Sequence, residues 1–478
     1  MLSVLLAVVL VLLGAAYLWL RRHFRYWQDR DVPHVPPTLL VGNIFDLLRY
    51  RCCFGEQFER LYNHAASRSE DFVGIHVLHN HALLLREPAL IQRVLVSDFS
   101  AFASRFERTD PVRDGMGSLN LFFAQYEVWK EIHQIFSPLF AHGKVKQMYP
   151  LLEEVGCKLE AHMAALKYAE DDSVIIEVKE LCALHTTDII ASIAFGIEAN
   201  SLANPQAEFR RMCKEVNEPR FKRVFHLFTM FFFPQRAELI RTHLYSAEYE
   251  KFMRASTEYA IAERLRSGAQ RNDLIDIFIS LKQQTASGAR AEVLRQPDFF
   301  VAQAAFLLLK GGGALNYEAI CNELPYMRMV VDEVLRLYPP TSFLDRRCTA
   351  AQGYSLAQTN GVDFRVPQGM PVYISVLGLH RDARFWPQPL VFDPERFSPE
   401  NRKLHTPMSY LPFGAGPRGC IGTLLGLLEV KTGLIHILKN YRVEPCALTL
   451  PEMKFDAKAF VLTADGGTYL RFVKDKLC

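Results

Sequence analysis

A mostly α-helical body with a small β part, behind one apolar N-terminal helix, is the architecture this sequence predicts. Three observations lead to it. Residues 1–20, MLSVLLAVVLVLLGAAYLWL, hold no charged side chain. From about residue 124 to 310 the pattern is mainly helical. Strand and turn signals gather at residues 72–86, at 341–376 and near the C-terminal end. The 478 residues are 50% hydrophobic and 22% charged, which excludes disorder as the main state. That length is enough to bury a large core and enclose a cofactor. The 25 Pro and 26 Gly are dispersed, so low-complexity structure is excluded too. Fifty-five basic against 52 acidic side chains leave a net charge of +3, too balanced for a main nucleic-acid partner.

The elements follow in order. As a helix, residues 1–20 would reach roughly 30 Å, the thickness of a bilayer's hydrocarbon core. Arg21, Arg22 and Arg25 follow at once, which predicts a transmembrane anchor with the body facing the cytoplasm. The competing reading is a cleaved signal peptide, with Gly14-Ala15-Ala16 as its cleavage site. The long apolar run, the lack of a basic leading region and the interfacial Trp19 favour the anchor. Residues 21–37 form a basic and Pro-rich hinge, stiffened by Pro33, Pro36 and Pro37. Residues 38–478 follow with no linker-like break. Residues 72–86 read as a β-hairpin with Asn80 near the turn. Helices are expected over 150–167, 178–196, 236–266 and 297–310, with Pro150 and Pro297 near two starts. Another runs near 324–338 and stops at Pro339-Pro340. Strands and turns fill 341–376, then a long apolar helix near 420–439 precedes a C-terminal strand pair.

Several chemical motifs fail on spacing. Ten cysteines occur without a CxxC pair, so zinc ribbons and thioredoxin-like centres lack support. In a cytosol-facing body most of them are expected to be buried, reduced small hydrophobes. His76, His79 and His81 read as exposed polar residues at a strand tip, with only His79 and His81 sharing a face. Gly414, Gly416 and Gly419 make a formal G-x-G-x-x-G, but only 56 residues follow Gly422. That is too few to complete a dinucleotide-binding sheet.

The same segment, Phe413-Gly414-Ala415-Gly416-Pro417-Arg418-Gly419-Cys420-Ile421-Gly422, reads better as a thiolate loop. Its glycines let backbone pass close to a flat cofactor and aim N–H groups at a sulfur. Cys420 at a helix opening favours the thiolate, and Arg418 can pair with a cofactor carboxylate. The string resembles the haem-binding signature F-x-x-G-x-R-x-C-x-G of the cytochrome P450 family, the haem-thiolate monooxygenases. Glu333-Val334-Leu335-Arg336 matches the family's E-x-x-R, whose spacing puts both charges on one helix face. Phe392-Asp393-Pro394-Glu395-Arg396-Phe397 matches its P-E-R-F segment, which implies that Arg396 joins that pair. Leu344-Asp345-Arg346-Arg347-Cys348 resembles the strand whose arginine meets a haem propionate, so Arg346 is the candidate. Residues 186–196 and 379–382 look like the animal microsomal members, insect xenobiotic-type enzymes above all.

The resemblance implies a haem b (iron protoporphyrin IX) enzyme that inserts one oxygen atom of O2 into small apolar substrates such as xenobiotics, hormones or lipids. Cys420 would hold the iron. Phe413, Gly414, Gly416, Gly422, Arg418, Trp129, His133 and Arg346 would contact the cofactor, and Glu333, Arg336 and Arg396 would form a structural ion pair. Electrons would come from NADPH through a cytochrome reductase docked on the proximal face, where Lys130, Lys144, Lys146, Lys403 and Lys431 offer basic surface. The implied location is the endoplasmic reticulum membrane (microsomal). Phe228 to Phe233, FTMFFF, reads either as a lipid-dipping surface or as a buried helix end.

Two departures stand out. The family's W-x-x-x-R becomes Trp129 with His133, a shorter and mostly neutral partner. The family's central helix starts well at residues 298–309, then gives way to Lys310-Gly311-Gly312-Gly313. The central helix is therefore truncated near Leu309–Leu315, with roughly 30–40 residues, about two helices' worth, missing. No acid–alcohol pair for proton relay lies there, so no catalytic residue is identified on the distal side. The alternative reading is a catalytically impaired or non-enzymatic haem-binding paralogue, or an incomplete splice or gene model.

Overall fold

The computed structural model describes residues 2–216, 220–286, 294, 296, 298–307 and 324–475. These residues are mostly helical, with three small sheets. In chain order, α1 (Leu2–Phe24) and α2 (Phe54–Tyr62) precede the hairpin β1 (Phe72–Val77) and β2 (Asn80–Leu85). Then come α3 (Tyr126–Phe136), α4 (His142–Ala164), β3 (Ser173–Glu177) and α5 (Val178–Ile190). α6 (Phe221–Phe232), α7 (Ala247–Ser267), α8 (Leu274–Ala286), α9 (Phe299–Leu307) and α10 (Pro325–Leu337) follow. β4 (Phe343–Arg347), β5 (Tyr354–Ala357), β6 (Asp363–Val366) and β7 (Pro371–Ser375) lead to α11 (Val376–His380). α12 (Thr423–Leu438), β8 (Tyr441–Glu444) and β9 (Tyr469–Lys474) complete the order. Contacts divide the chain into two compact units. The expected truncation at Leu309–Leu315 lies outside the described residues.

The first unit comprises Met1–Phe106, Asp332–Gly419 and Phe455–Thr463. α1 holds an 18-residue apolar window of mean hydropathy 2.5, none of it buried, while Phe24 at its end is buried. It runs past Arg21 and Arg22, which sit in its last turn, where cations suit the helix dipole. Three residues beyond it, Trp27 is fully buried and its Nε1 donates to Ile75 O at 3.0 Å. Gly74 makes room for that ring, since a Cβ there would lie 2.3 Å from Trp27 Cδ2. The Pro-rich hinge docks on the same glycine: Val35 N donates to Gly74 O, and Gly74 N to Pro33 O.

The sheet order is β1-β2-β7-β4, with β2 and β7 parallel and the other pairs antiparallel. The hairpin turns at Leu78, which takes a left-handed φ of 55°. One expectation needs correcting here. The register sets His76 directly opposite His81, ring centroids 5.2 Å apart, and His76 is fully buried. They are a cross-strand pair covered by Tyr26, which stacks on His81 at 3.8 Å. Burial first, and neighbouring imidazoles second, lower both pKa values to about 3, so both rings are neutral near pH 7.

The deepest polar feature of this unit is an ion pair. Arg336 Nε and Nη2 donate to the two oxygens of Glu333 at 2.6 and 2.8 Å, and both side chains are fully buried. Arg396 Nε lies 3.5 Å from Glu333 Oε1, which also accepts from Asp393 N. Arg336 Nη1 donates to the carbonyls of His380 and Pro389, and its guanidinium lies over the Trp386 ring. His380 returns the contact. Leu411 N donates to its Nε2 at 2.7 Å, so its Nδ1 carries the proton and faces Arg336 O at 3.1 Å. Removing one partner of such a buried pair typically costs about 3–5 kcal/mol.

The second unit comprises Glu107–Val331, Cys420–Lys454 and Ala464–Cys478. Its sheet, β3-β9-β8, adds β3 to the expected C-terminal strand pair. Pro150 does not start a helix but lies inside α4. Val145 and Met148 continue the buried face ahead of it, and that burial outweighs a proline penalty of about 3 kcal/mol. The 236–266 helix is split. Ala237–Ile240 ends at Arg241, which is left-handed at φ 55°, and α7 restarts under a Ser246 cap. α4 and α12 meet where Gly156 faces His436; a Cβ on Gly156 would sit 2.3 Å from His436 Nε2. Phe228–Phe233 is not a lipid-facing surface, since Thr229 to Phe232 are buried and the exposed aromatics are Phe221 and Phe225. Among the eight cysteines described as free thiols only Cys52, Cys53 and Cys348 are buried, fewer than expected, and Cys157 and Cys182 are exposed.

Burial, the largest cause, lowers the His380 pKa from 6.5 to about 3. The unfolded chain therefore takes up a proton here that the folded chain refuses, and stability contributed at neutral pH is lost as pH falls from 6.5 toward 3. His380→Asn is expected to flatten the acid side of the stability curve by up to about 1.4 kcal/mol per pH unit. Urea midpoints at pH 7.5, 6 and 5 measure it; an unchanged slope would refute the assignment.

Candidate functional site

The cysteine loop is built from turns that glycine permits. Gly414 N donates to Leu411 O, and Gly419 N to Gly416 O at 2.9 Å. Gly414 and Gly416 hold φ values of 70° and 69°, where other side chains are strained. At Gly416 a Cβ would also lie 1.9 Å from Leu95 O, so backbone passes directly over backbone. Phe413 precedes them, half-buried. Arg418 points inward, 8% exposed, and its Nε donates to Ala103 O at 2.8 Å. These residues belong to the first unit; Cys420 and Gly422 begin a segment of the second.

Cys420 is half-buried and does not itself open the helix, because α12 starts at Thr423. Thr423 Oγ1 donates back to Cys420 O at 2.8 Å, fixing the turn between them. Gly422 stands next to the sulfur: a Cβ there would lie 4.0 Å from Cys420 Sγ, an ordinary contact distance.

Arg346 is 1% exposed on β4, and its Nη1 donates to Asp345 O. The Asp345 carboxylate accepts from Arg105 Nη1 at 2.9 Å and from Phe106 N at 2.7 Å. Ser104 bridges to Arg347 alongside, so residues 103–106 run against β4. Three buried guanidiniums, from Arg105, Arg346 and Arg418, thus gather at this segment of the first unit, with Asp345 as the carboxylate there. A dianionic group such as the two propionates of a haem fits that donor set. Neither Arg105 nor His380 was identified from sequence. Each acts through contacts remote in the chain; residues 379–382 resemble the family, but that resemblance gives His380 no role.

In the second unit, Trp129 is buried on α3 and His133 lies one turn later, ring centroids 4.7 Å apart. Ser137 Oγ donates to His133 O at 2.7 Å and lies 3.1 Å from its Nδ1. Lys130, Lys144, Lys146 and Lys403 are exposed. Lys431 is only 3% exposed and offers no surface charge, which corrects its place among the docking lysines.

A family model described as Cytochrome P450 matches residues 33–299 and 311–471. Over 505 aligned positions the chain is 56% identical to Probable cytochrome P450 6t1 of Drosophila melanogaster, covering 98% of this chain and 95% of that protein. Probable cytochrome P450 6g2 of the same organism is 41% identical over 516 positions, with 99% of each chain covered. Cytochrome P450 6k1 of Blattella germanica is 32% identical over 520 positions, covering 98% of this chain and 97% of that protein. Each alignment is longer than the 478 residues of this chain, so the relatives carry positions with no counterpart here. The family match is itself interrupted after residue 299 and resumes at 311. These comparisons do not support the non-enzymatic alternative. With the signature loop, the buried Glu–Arg pair and relatives spanning nearly its full length, the chain belongs to the cytochrome P450 family of haem-thiolate monooxygenases.

Proposed function

We propose that this protein is a membrane-anchored monooxygenase that inserts one oxygen atom of O2 into small apolar molecules, whether xenobiotics, hormones or lipids. The observation that carries the reading is the ten-residue loop around Cys420, whose glycines keep the open turns and close approaches the signature requires. When bound, haem b supplies the iron that activates dioxygen. Cys420 would hold that iron as a thiolate, with Gly422 beside its sulfur. Gly414 and Gly416 bring the backbone close, and Phe413 covers it. Arg346 and Arg418 hold the propionates, aided by Arg105 through Asp345. Trp129 and His133 add a weaker propionate contact. Glu333, Arg336 and Arg396 position the loop through His380 and Leu411.

Residues 1–20 form the anchor, 21–37 the hinge and 38–478 the haem domain. The anchor reading is supported by an exposed helix of hydropathy 2.5 with arginines at its end. It places the protein in the endoplasmic reticulum membrane with its body in the cytoplasm. Electrons come from NADPH through a cytochrome reductase, for which Lys130, Lys144, Lys146 and Lys403 are candidate contacts.

The catalytically impaired alternative gains no support from relatives matched over nearly their full length.

Three outcomes are expected. Cys420→Ser should abolish the thiolate-type Soret band of the reduced, CO-treated protein while circular dichroism stays native; a persisting band would move the iron ligand elsewhere. His133→Arg should slow haem transfer to apomyoglobin at least about tenfold, because a charge-assisted bond is worth roughly 1.5–3 kcal/mol; an unchanged rate would take position 133 out of the propionate site. NADPH consumption with purified reductase should accompany product that carries one oxygen atom from isotopically labelled O2; product without that label would refute the monooxygenase reading.

A further inference from the structure

Away from the cysteine loop, within the second unit, three ligand-type side chains converge from different segments. Asp114 caps the short helix Gly115–Ser118, His243 lies in the loop ahead of α7, and Glu250 stands on the first turn of α7. One ligand atom from each lies within 4.8 Å of the other two. We propose that Asp114, His243 and Glu250 form a binding site for a divalent metal ion, Zn2+ being the best match, that ties the Asp114 segment to the loop before α7.

Four observations support it. First, Asp114 is fully buried and its carboxylate accepts backbone amides from Gly117 and from Leu244, at 2.9 Å each. Among the described residues no cation pairs with it. A buried carboxylate of this kind lacks a counter-charge.

Second, Glu250 Oε1 is shielded from solvent and accepts no hydrogen bond. It lies 3.9 Å from His243 Nδ1. With a ligand atom of Asp114 within 4.8 Å, two carboxylates stand where a cation would offset both charges. The nearest arginine, Arg254 at 3.8 Å from Glu250, is shared with Asp298.

Third, His243 is already oriented. Its backbone N donates to His226 Nδ1 at 2.9 Å, and His226 Nδ1 lies 3.2 Å from its carbonyl. The loop is thus pinned at the residue that would supply the imidazole. Fourth, His243 and Glu250 line a cavity of about 330 Å3, so a metal there keeps room for water ligands. Lys222 and Arg223 line it too, but among the described residues neither pairs with any of the three.

The donor set selects the ion. One imidazole with two carboxylates matches Zn2+, which takes bonds of about 2.0–2.2 Å to these atoms and accepts water in a fourth position. Ligand atoms around such an ion sit roughly 3.3 Å apart, so His243 and Glu250, both only half-buried, would close by about 1 Å.

The test uses the full-length haem-loaded protein in lipid nanodiscs, stripped with chelator and titrated with Zn2+, beside His243→Asn and Glu250→Gln. The CO-difference spectrum reports that each variant is folded, independently of the metal. The wild type is expected to bind one more equivalent than either variant, or to bind it at least about tenfold more tightly, since even outer-shell changes cost 10–100-fold. Zn2+ should also raise the unfolding temperature of the wild type and not of the variants. Equal stoichiometry and affinity in all three would overturn the site. Binding of Ca2+ or Mg2+ in preference to Zn2+ would overturn the choice of ion.

Discussion

The buried guanidinium of Arg336 constrains more of the first unit than any other single group. A charge removed from water must be met on every face, or the structure opens to hydrate it. Here Glu333 takes two of its hydrogen bonds, carbonyls at positions 380 and 389 take others, and the Trp386 ring covers one face. Each partner sits on a different stretch of chain. Satisfying one charge therefore fixes where α10, the end of α11 and the 389–396 segment lie within the unit. His380 carries the constraint to Leu411 and so to the turn that leads into the cysteine loop. The loop's glycines allow its shape, and the ion pair decides where that shape is held.

Charge of one sign is concentrated at two places, with opposite sign in each. Segment 103–106 and β4 collect three guanidiniums around Asp345. Asp114 and Glu250 collect carboxylates around an imidazole. In both, backbone amides or carbonyls hold the side chains in position at the cost of burying charge. Such arrangements are stable when a ligand of the complementary charge is bound. The first matches the cofactor of the family, and the second suits a small cation.

Sequence revealed these features unevenly, and the reasons are physical. The hairpin was legible because two short strand-forming runs flank a turn signal at Asn80. The cysteine loop was legible because positive φ values demand glycine at positions 414 and 416. The Glu333–Arg336 pair was legible through its resemblance to the family's E-x-x-R, whose i,i+3 spacing sets both charges on one helix face. His380 was not legible as a link, since its partners lie 44 and 31 positions away and only the fold brings them together. The face of FTMFFF was unreadable because an unbroken apolar run has no period. Pro150 misled for a related reason: local propensity argues for a boundary there, whereas the buried row from Val145 through Leu152 continues across it.

The contact between Trp27 and Gly74 has a mechanical consequence for α1. Only Arg25 and Tyr26 separate the last residue of the helix, Phe24, from an indole locked by a hydrogen bond and a glycine-sized recess. Two residues are too short a leash to act as a swivel. Any roll or tilt of α1 is transmitted as torque to the β1–β2 edge of the sheet, so the helix and that edge turn together, like a key and its bow.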